Sequence, residues 1–312
     1  MIEKKPERFL VVFKSKLLIE QHFHGCFGID FNTCNCDDVL FLSSEIKKYG
    51  IGGIFPTLVT DSVDNINRQI SVIKEASKKQ TSNMAKILGI HLEGIFINPQ
   101  KKGIHNSELI LEPTIENYKL IEDDFIKIVT LASELDKGLI GYLKAKNIKV
   151  QAGHCVGGDL NSCNGVTHLF NAMSGINHRE SSTALSALIN DDIYTEIIAD
   201  GVHLSDDVLK LVFKTKPIDK IILVSDCLPI TKSSIKETNF AGEVVYYDGN
   251  RATSKSGTIA GSTVLLPEVI KRLHSLNLFN SNLIENVYNY HSIELDGCII
   301  WDDEFNIVKI EG

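Results

Sequence analysis

The chain has 312 residues, 43% hydrophobic and 23% charged, with a formal net charge of −8 and a pI near 5.7. That is the composition of an ordinary globular protein, long enough for one large barrel or two modest domains, and it excludes a disordered chain. An acidic balance with scattered lysines argues against a nucleic-acid partner, and no apolar run reaches the length of a membrane span.

In chain order, apolar runs alternate with helix-like segments. Leu17–Ile19 ends in Glu-Gln-His-Phe-His, and a helix capped by Asp37 or Asp38 is predicted up to Tyr49. Ile51–Thr57 reads as the second strand. Val63–Lys79 reads as an amphipathic helix, with Ile66, Ile70 and Ile73 at three- and four-residue spacing. The third strand, Ile87–Leu92, ends on Glu93, and the fourth is Ile126–Leu131, followed by a helix over Lys137–Lys146. Ile148–Ala152 and Val166–Leu169 are the fifth and sixth. Between them too few residues are available for a crossover helix, so a tight loop or a gap in the outer ring is expected.

A helix over Thr183–Ile189, a strand at Tyr194–Ala199, a helix over Ser205–Phe213 and a strand at Lys220–Ser225 complete the alternation. Beyond them, Phe240–Tyr247 reads as one strand and a helix is expected with its cap near Ser262. Leu283–Tyr290 reads as a helix, and Gly297–Ile310 as a hairpin turning near Asp302-Asp303. Eight strand candidates in βα alternation predict an α/β fold, a (β/α)8 TIM-like barrel.

The polar residues fall at one end of those strands. His22, His24, Glu93, His154, His168, His203 and Asp226 all lie at or just past a strand's C-terminal end, the face where such barrels build active sites. In the His22-Phe-His24 pair, alternate residues share a face, so both imidazoles point to one side. Imidazole and carboxylate donors converging there suit zinc and similar ions. One histidine alone at a strand end is more simply a hydrogen-bonded one; the set of such residues is what weakens that reading.

Seven cysteines without a C-x-x-C pair suit a reducing compartment, and Cys26, Cys155 and Cys227 read as small packing residues. The apolar run Phe9–Phe13 is short of a secretory segment, so the expected location is cytoplasmic.

These motifs resemble, in order, those of the N-acetylglucosamine-6-phosphate deacetylases of the amidohydrolase superfamily. They are His22-Phe-His24-Gly, Gly89-Ile-His-Leu-Glu93-Gly, Lys102-Gly-Ile-His105-Asn106, Gly153-His154, Thr167-His168-Leu-Phe-Asn171-Ala172-Met173, His178-Arg179-Glu180, Asp200-Gly-Val-His203, Leu223-Val-Ser-Asp226 and Ile259-Ala-Gly-Ser262. The Thr-His-Leu-Phe-Asn-Ala-Met run is the most specific of them.

The resemblance implies a divalent metal, expected to be zinc, as one or two ions per subunit. Glu93, His154 and His168 would bind the main ion, and His22, His24 and Asp226 could contribute to a second. Asp226 would be the catalytic acid–base and His105 would polarise the acetamide carbonyl. Asn171, the Ala172 backbone, Arg179 and His203 would hold an amino-sugar phosphate. Arg179 would serve the neighbouring subunit of a homodimer; neither nucleic acid nor membrane is an expected partner. The family's small β domain is expected in reduced form from residues 1–16 and 291–312, around a barrel at 17–290.

Three features depart from the family pattern: Ile95 where proline is usual, a short loop between His154 and His168, and the short segment before His22. An amidohydrolase acting on a different N-acetyl compound, and a catalytically silent sugar-phosphate sensor, are the competing readings.

Overall fold

Short runs of branched apolar residues, each too brief for a buried helix, become the parallel strands of one curled sheet. The strands are β1 (Leu18–Phe23), β2 (Ile51–Leu58), β3 (Ile90–Glu93), β4 (Ile126–Leu131), β5 (Lys149–Ala152), β6 (Gly165–Val166), β7 (Tyr194–Ile197) and β8 (Ile221–Leu223). They pair in sequence order from β1 to β8, all in parallel. This computed structural model describes residues 13–312, so residues 1–12 of the 1–16 segment assigned to the small β region lie outside the described residues.

No strand pairing joins β8 to β1 among the described residues. Just past their ends, however, the Asp226 N–H donates to the His22 carbonyl and the His24 N–H to the Cys227 carbonyl, both at 2.9 Å. Helix Asn282–His291 covers the same seam lower down. Asn286 Nδ2 donates to the Ile221 carbonyl at 2.7 Å and the Tyr288 hydroxyl to the Leu17 carbonyl at 2.6 Å.

The helix at Val63–Lys79 forms as the isoleucine spacing predicts. Ser62 Oγ caps it by accepting from the Asn65 N–H. Its buried Ile66, Ile70 and Ile73 join the main core, each contributing about 2 kcal/mol of apolar burial. The helix at Thr183–Ile189 also forms over its predicted span, capped by Ser182.

Several local expectations are corrected. The first helix runs Cys36–Lys47 and is capped by Asn35, whose amide oxygen accepts from Asp37 and Asp38 while Asp38 answers to the Asn35 N–H. The two aspartates sit in the first turn instead of preceding it. The third strand is broken: Lys86–Ile87 pairs with β2, and β3 starts only at Ile90, after Gly89 at φ +153.

Phe240–Tyr247 is a hairpin, not one strand. Glu237–Phe240 turns through Ala241 and Gly242, at φ +52 and +85, into Glu243–Tyr247. Two consecutive positive φ values are those of a type I′ turn. With Ala252–Ser254 and Ile259–Gly261 this hairpin makes a four-stranded antiparallel sheet beside the C-terminal end of the barrel strands. The following helix is Leu266–Ser275, and Ser262 does not cap it; the Glu268 carboxylate takes the Leu265 N–H at 2.9 Å.

The β5–β6 connection carries no helix among its residues, as its length requires. The tail forms the predicted hairpin, Cys298–Trp301 with Ile307–Glu311, turned by Asp302. Phe13–Lys16 adds as a third antiparallel strand, and buried Trp301 donates from Nε1 to Ser15 Oγ at 2.9 Å.

Candidate active site

Glu93, the last residue of β3, is 2% exposed and lies between two groups of imidazoles. Its Oε1 is 2.8 Å from His168 Nε2 and 3.2 Å from His154 Nε2; its Oε2 is 3.1 Å from His24 Nε2 and 3.2 Å from His22 Nε2. Asp226 Oδ1 joins the second group at 3.0 Å from His24 Nε2 and 3.5 Å from His22 Nε2. The parallel register places all of them, because each residue sits at or just past the end of its own strand.

Backbone strain marks three of these positions. His154 (φ +48), His168 (φ +29) and Asp226 (φ +52) all leave their strands in the left-handed region. For residues with a Cβ this conformation is costly, and it persists where the surroundings impose it, commonly at functional sites.

Protons alone do not satisfy this cluster. His154 Nδ1 donates to the Lys101 carbonyl at 2.8 Å, so its Nε2 carries a lone pair in the neutral ring. That lone pair points at Glu93 Oε1 and stands 3.1 Å from His168 Nε2. His22 Nε2, although close to Glu93, makes no hydrogen bond of acceptable geometry, and His24 Nδ1 and His168 Nδ1 are also buried without partners. A buried carboxylate ringed by four imidazoles, with the His154 lone pair aimed at it, fits a divalent cation. His22, His24, Glu93 and Asp226 present one compact donor group, and His105 lies close to Glu93 and His154 on the other side.

Two buried carboxylates hold the cluster from behind, and neither was singled out in the sequence. Glu196 Oε2 accepts from His22 Nδ1 at 2.9 Å and from the His168 backbone N–H at 3.2 Å, while Oε1 accepts from Gln21 Nε2 at 2.5 Å. Burial pushes its carboxyl up, but the charge and hydrogen bond of His22 outweigh that and bring it down to about 2. Glu20 takes the backbone N–H groups of His22 and Ser225, yet burial raises it to about 8. The readable signal was an acidic residue inside each of two apolar strands.

His105 is 3% exposed and held at Nδ1 by Thr60, whose hydroxyl lies at 2.8 Å and whose N–H lies at 3.4 Å. The Ile95 N–H donates to the same hydroxyl oxygen at 2.7 Å, so the Thr60 proton is directed to His105. Nδ1 is therefore an acceptor and Nε2 carries the ring proton. Burial and the neighbouring His154 lower His105 well below the ordinary histidine range, keeping the ring neutral. Gly94 permits this packing: a Cβ there would stand 2.3 Å from Thr60 Oγ1 and 2.8 Å from His105 Nδ1. Ile95 itself has φ +61, a backbone that proline cannot adopt, and it uses the N–H that proline lacks.

A cavity of about 440 Å³ opens above the cluster, lined by His24, Glu93, His105, His154, His168 and Asp226. Asn171, Ala172 and His203 line it too, as do Gln100, Lys101 and Phe240, which the sequence reading did not select. His22 is fully buried beneath the cluster. His203 Nδ1 is held by Asp200 Oδ2 at 2.8 Å, leaving Nε2 for a ligand. Arg179 does not line the cavity; it lies in an exposed loop with Asn177 and Glu180. Cys26, Cys155 and Cys227 are buried and unpaired, packing beside the ligands.

A curled parallel sheet with convergent histidines and carboxylates at its C-terminal edge defines a metal-dependent hydrolase of the amidohydrolase type. The chain belongs to the N-acetylglucosamine-6-phosphate deacetylase family. It is 31% identical to the enzyme of that name from Bacillus subtilis, over 86% of this chain and 72% of the relative. It is 28% identical to the enzyme from Haemophilus influenzae, over 89% of this chain and 76% of the relative. An N-acetylgalactosamine-6-phosphate deacetylase from Escherichia coli O157:H7 is 27% identical, over 83% of this chain and 71% of the relative. The crystal structure of N-acetylglucosamine-6-phosphate deacetylase from Pasteurella multocida superposes with a TM-score of 0.86 at 25% identity, covering 99% of this chain and 89% of that one. No protein-family model matches the chain.

Proposed function

We propose that this chain removes the acetyl group from N-acetylglucosamine 6-phosphate, giving glucosamine 6-phosphate and acetate. The observation that carries the reading is Glu93, whose two carboxylate oxygens face two separate groups of imidazoles at the floor of the cavity. The B. subtilis relative, 31% identical over 287 aligned residues, supports the substrate assignment.

Glu93, His154 and His168 would hold the main cation, with His22, His24 and Asp226 available to a second; zinc suits this nitrogen-and-oxygen donor set. When bound, such a cation lowers the pKa of a water and polarises a carbonyl. Asp226, with Oδ1 directed into the cluster, accepts the proton of the attacking water. It returns that proton to the amine nitrogen as the C–N bond breaks. His105 donates from Nε2 to the amide oxygen as negative charge develops there. Asn171, the Ala172 N–H and His203 receive the sugar and its phosphate.

The finer structural reading is a (β/α)8 barrel at 17–290 with a reduced β region from the two chain ends, the terminal three-stranded sheet supporting the latter. Arg179 completes the phosphate site of a second copy in a homodimer. The free thiols support a reducing, cytoplasmic setting, and no described helix is long and apolar enough to cross a membrane.

The test is acetate release from a panel of N-acetylhexosamine phosphates, with metal content measured on the same preparation. The 6-phosphates of N-acetylglucosamine and N-acetylgalactosamine belong in that panel, because relatives carry both names. Metal-loaded protein that released acetate from neither would overturn the reading.

A further inference from the structure

The cavity's walls differ in chemistry. Asn171, Ala172 and His203, from the loops after β6 and β7, supply polar groups, and Gln100 and Lys101 add two more. Val59, Ile104 and Phe240 come from three separate segments and meet in one apolar cluster with Leu228 and Val245. Each of the three is at most 5% exposed, yet each lines the cavity. The polar floor does not need them, and the sugar's hydroxyls have no partner on them.

Their position relative to the reacting groups is fixed by neighbours. Ile104 directly precedes His105, which would bind the amide oxygen. Val59 directly precedes Thr60, which orients that histidine. Phe240 packs its ring on His24, with centroids 5.0 Å apart, and His24 in turn touches Asp226. An amide carbonyl placed between His105 and Asp226 has three substituents. The oxygen goes to His105, and the nitrogen leads to the sugar. The remaining substituent, the alkyl end of the acyl group, meets the apolar wall.

We infer that Val59, Ile104 and Phe240 form the acyl subsite and set how long an acyl chain the enzyme accepts. The inference rests on the deacetylase reading and adds acyl-chain selectivity to it. Phe240 is the last residue of the strand Glu237–Phe240, directly before the type I′ turn at Ala241-Gly242, and it lines the cavity from there. Leu228, fully buried, packs in the same cluster. A rigid apolar wall discriminates by about 10- to 200-fold per methylene.

The test uses N-acetyl-, N-propanoyl- and N-butanoyl-glucosamine 6-phosphate, with release of the free amine followed for each. Wild type should fall about a hundredfold or more in kcat/KM from acetyl to butanoyl, which is two methylenes longer. Phe240→Ala should raise the butanoyl-to-acetyl ratio by tenfold or more. Val59→Ala, a smaller change, should raise the propanoyl ratio in the same direction and guards against a folding defect in the first variant. Active wild type whose preference is unchanged in both folded variants would overturn the subsite alone. A metal-loaded wild type that released amine from none of the three would overturn the deacetylase reading and the subsite with it.

Discussion

His22 donates its Nδ1–H to Glu196 at 2.9 Å, and this single contact directs Nε2 at Glu93 and Asp226. The same carboxylate holds the His168 backbone N–H, so one buried side chain supports ligands in both halves of the cluster. Carboxylates behind metal-binding histidines fix ring orientation and raise ligand basicity. Glu196→Gln introduces an amide NH2 where every neighbour is already a donor. The expected outcome is metal affinity weakened about 10- to 100-fold, read by chelator competition. Unchanged affinity would show that Glu196 serves packing alone.

Asp226→Asn should keep appreciable metal and lose about a hundredfold or more in kcat, the range for removing a general acid–base group. Metal content and single-turnover rate on one preparation check this. Complete loss of the metal would make Asp226 chiefly a ligand, and near-normal kcat would remove it from proton transfer.

Thr60→Val removes the hydroxyl that directs His105 Nε2–H toward the substrate oxygen. The expected effect is a fall in kcat of about tenfold or more with KM little changed, since the contact matters most as charge develops. Thr60→Ser keeps the hydroxyl and should recover most of the rate. If serine and valine behaved alike, the hydroxyl would have no orienting role.

Metal affinity should depend on pH in a defined direction. Burial pushes the His24 imidazole down, but Asp226 and Glu93 outweigh it and raise it to about 9 in the metal-free protein. Below that pH a cation must displace a proton from His24; above it the lone pair is free. His22 in the same group is raised as well, so affinity should rise with pH by about tenfold per unit for each proton displaced, through pH 9. Titration of the apoprotein with zinc against a competing chelator from pH 6 to 10 reads the slope. A flat profile would take His24 out of the ligand set.

Arg179 stands exposed outside its own chain's cavity, as a residue serving a neighbouring subunit would. A charge-assisted bidentate contact to phosphate contributes about 1.5–3 kcal/mol. Arg179→Ala should therefore raise KM for the phosphorylated sugar by about 10- to 100-fold and leave the unphosphorylated sugar little affected. Mixing Arg179→Ala with Asp226→Asn subunits should restore some active sites. Verified mixed dimers without any recovery would reject the shared site.

The order of elements and the set of strand-end histidines and carboxylates that converge were legible in the sequence, because both are local properties. A strand's apolar run and the polar residue that closes it are adjacent in the chain. Parallel strands in sequence order then bring such ends to one edge. The isoleucine spacing of Val63–Lys79 and its Ser62 cap are local in the same sense. Errors arose where two local signals competed, as when Asn35 took the cap expected of Asp37 or Asp38, or where Ala241 and Gly242 turned an apparent single strand into a hairpin.

Tertiary structure alone decided which distant residues support the ligands. Thr60 is 45 residues from His105, and Glu196 is 174 from His22; no periodicity links them. It also decided that Phe240, from a sheet beyond the eight strands, closes over His24. Sequence pattern reports which face of an element is apolar, because burial repeats with the element's own period. Pairings between elements depend on sheet register and loop path, which reside in contacts across the whole chain.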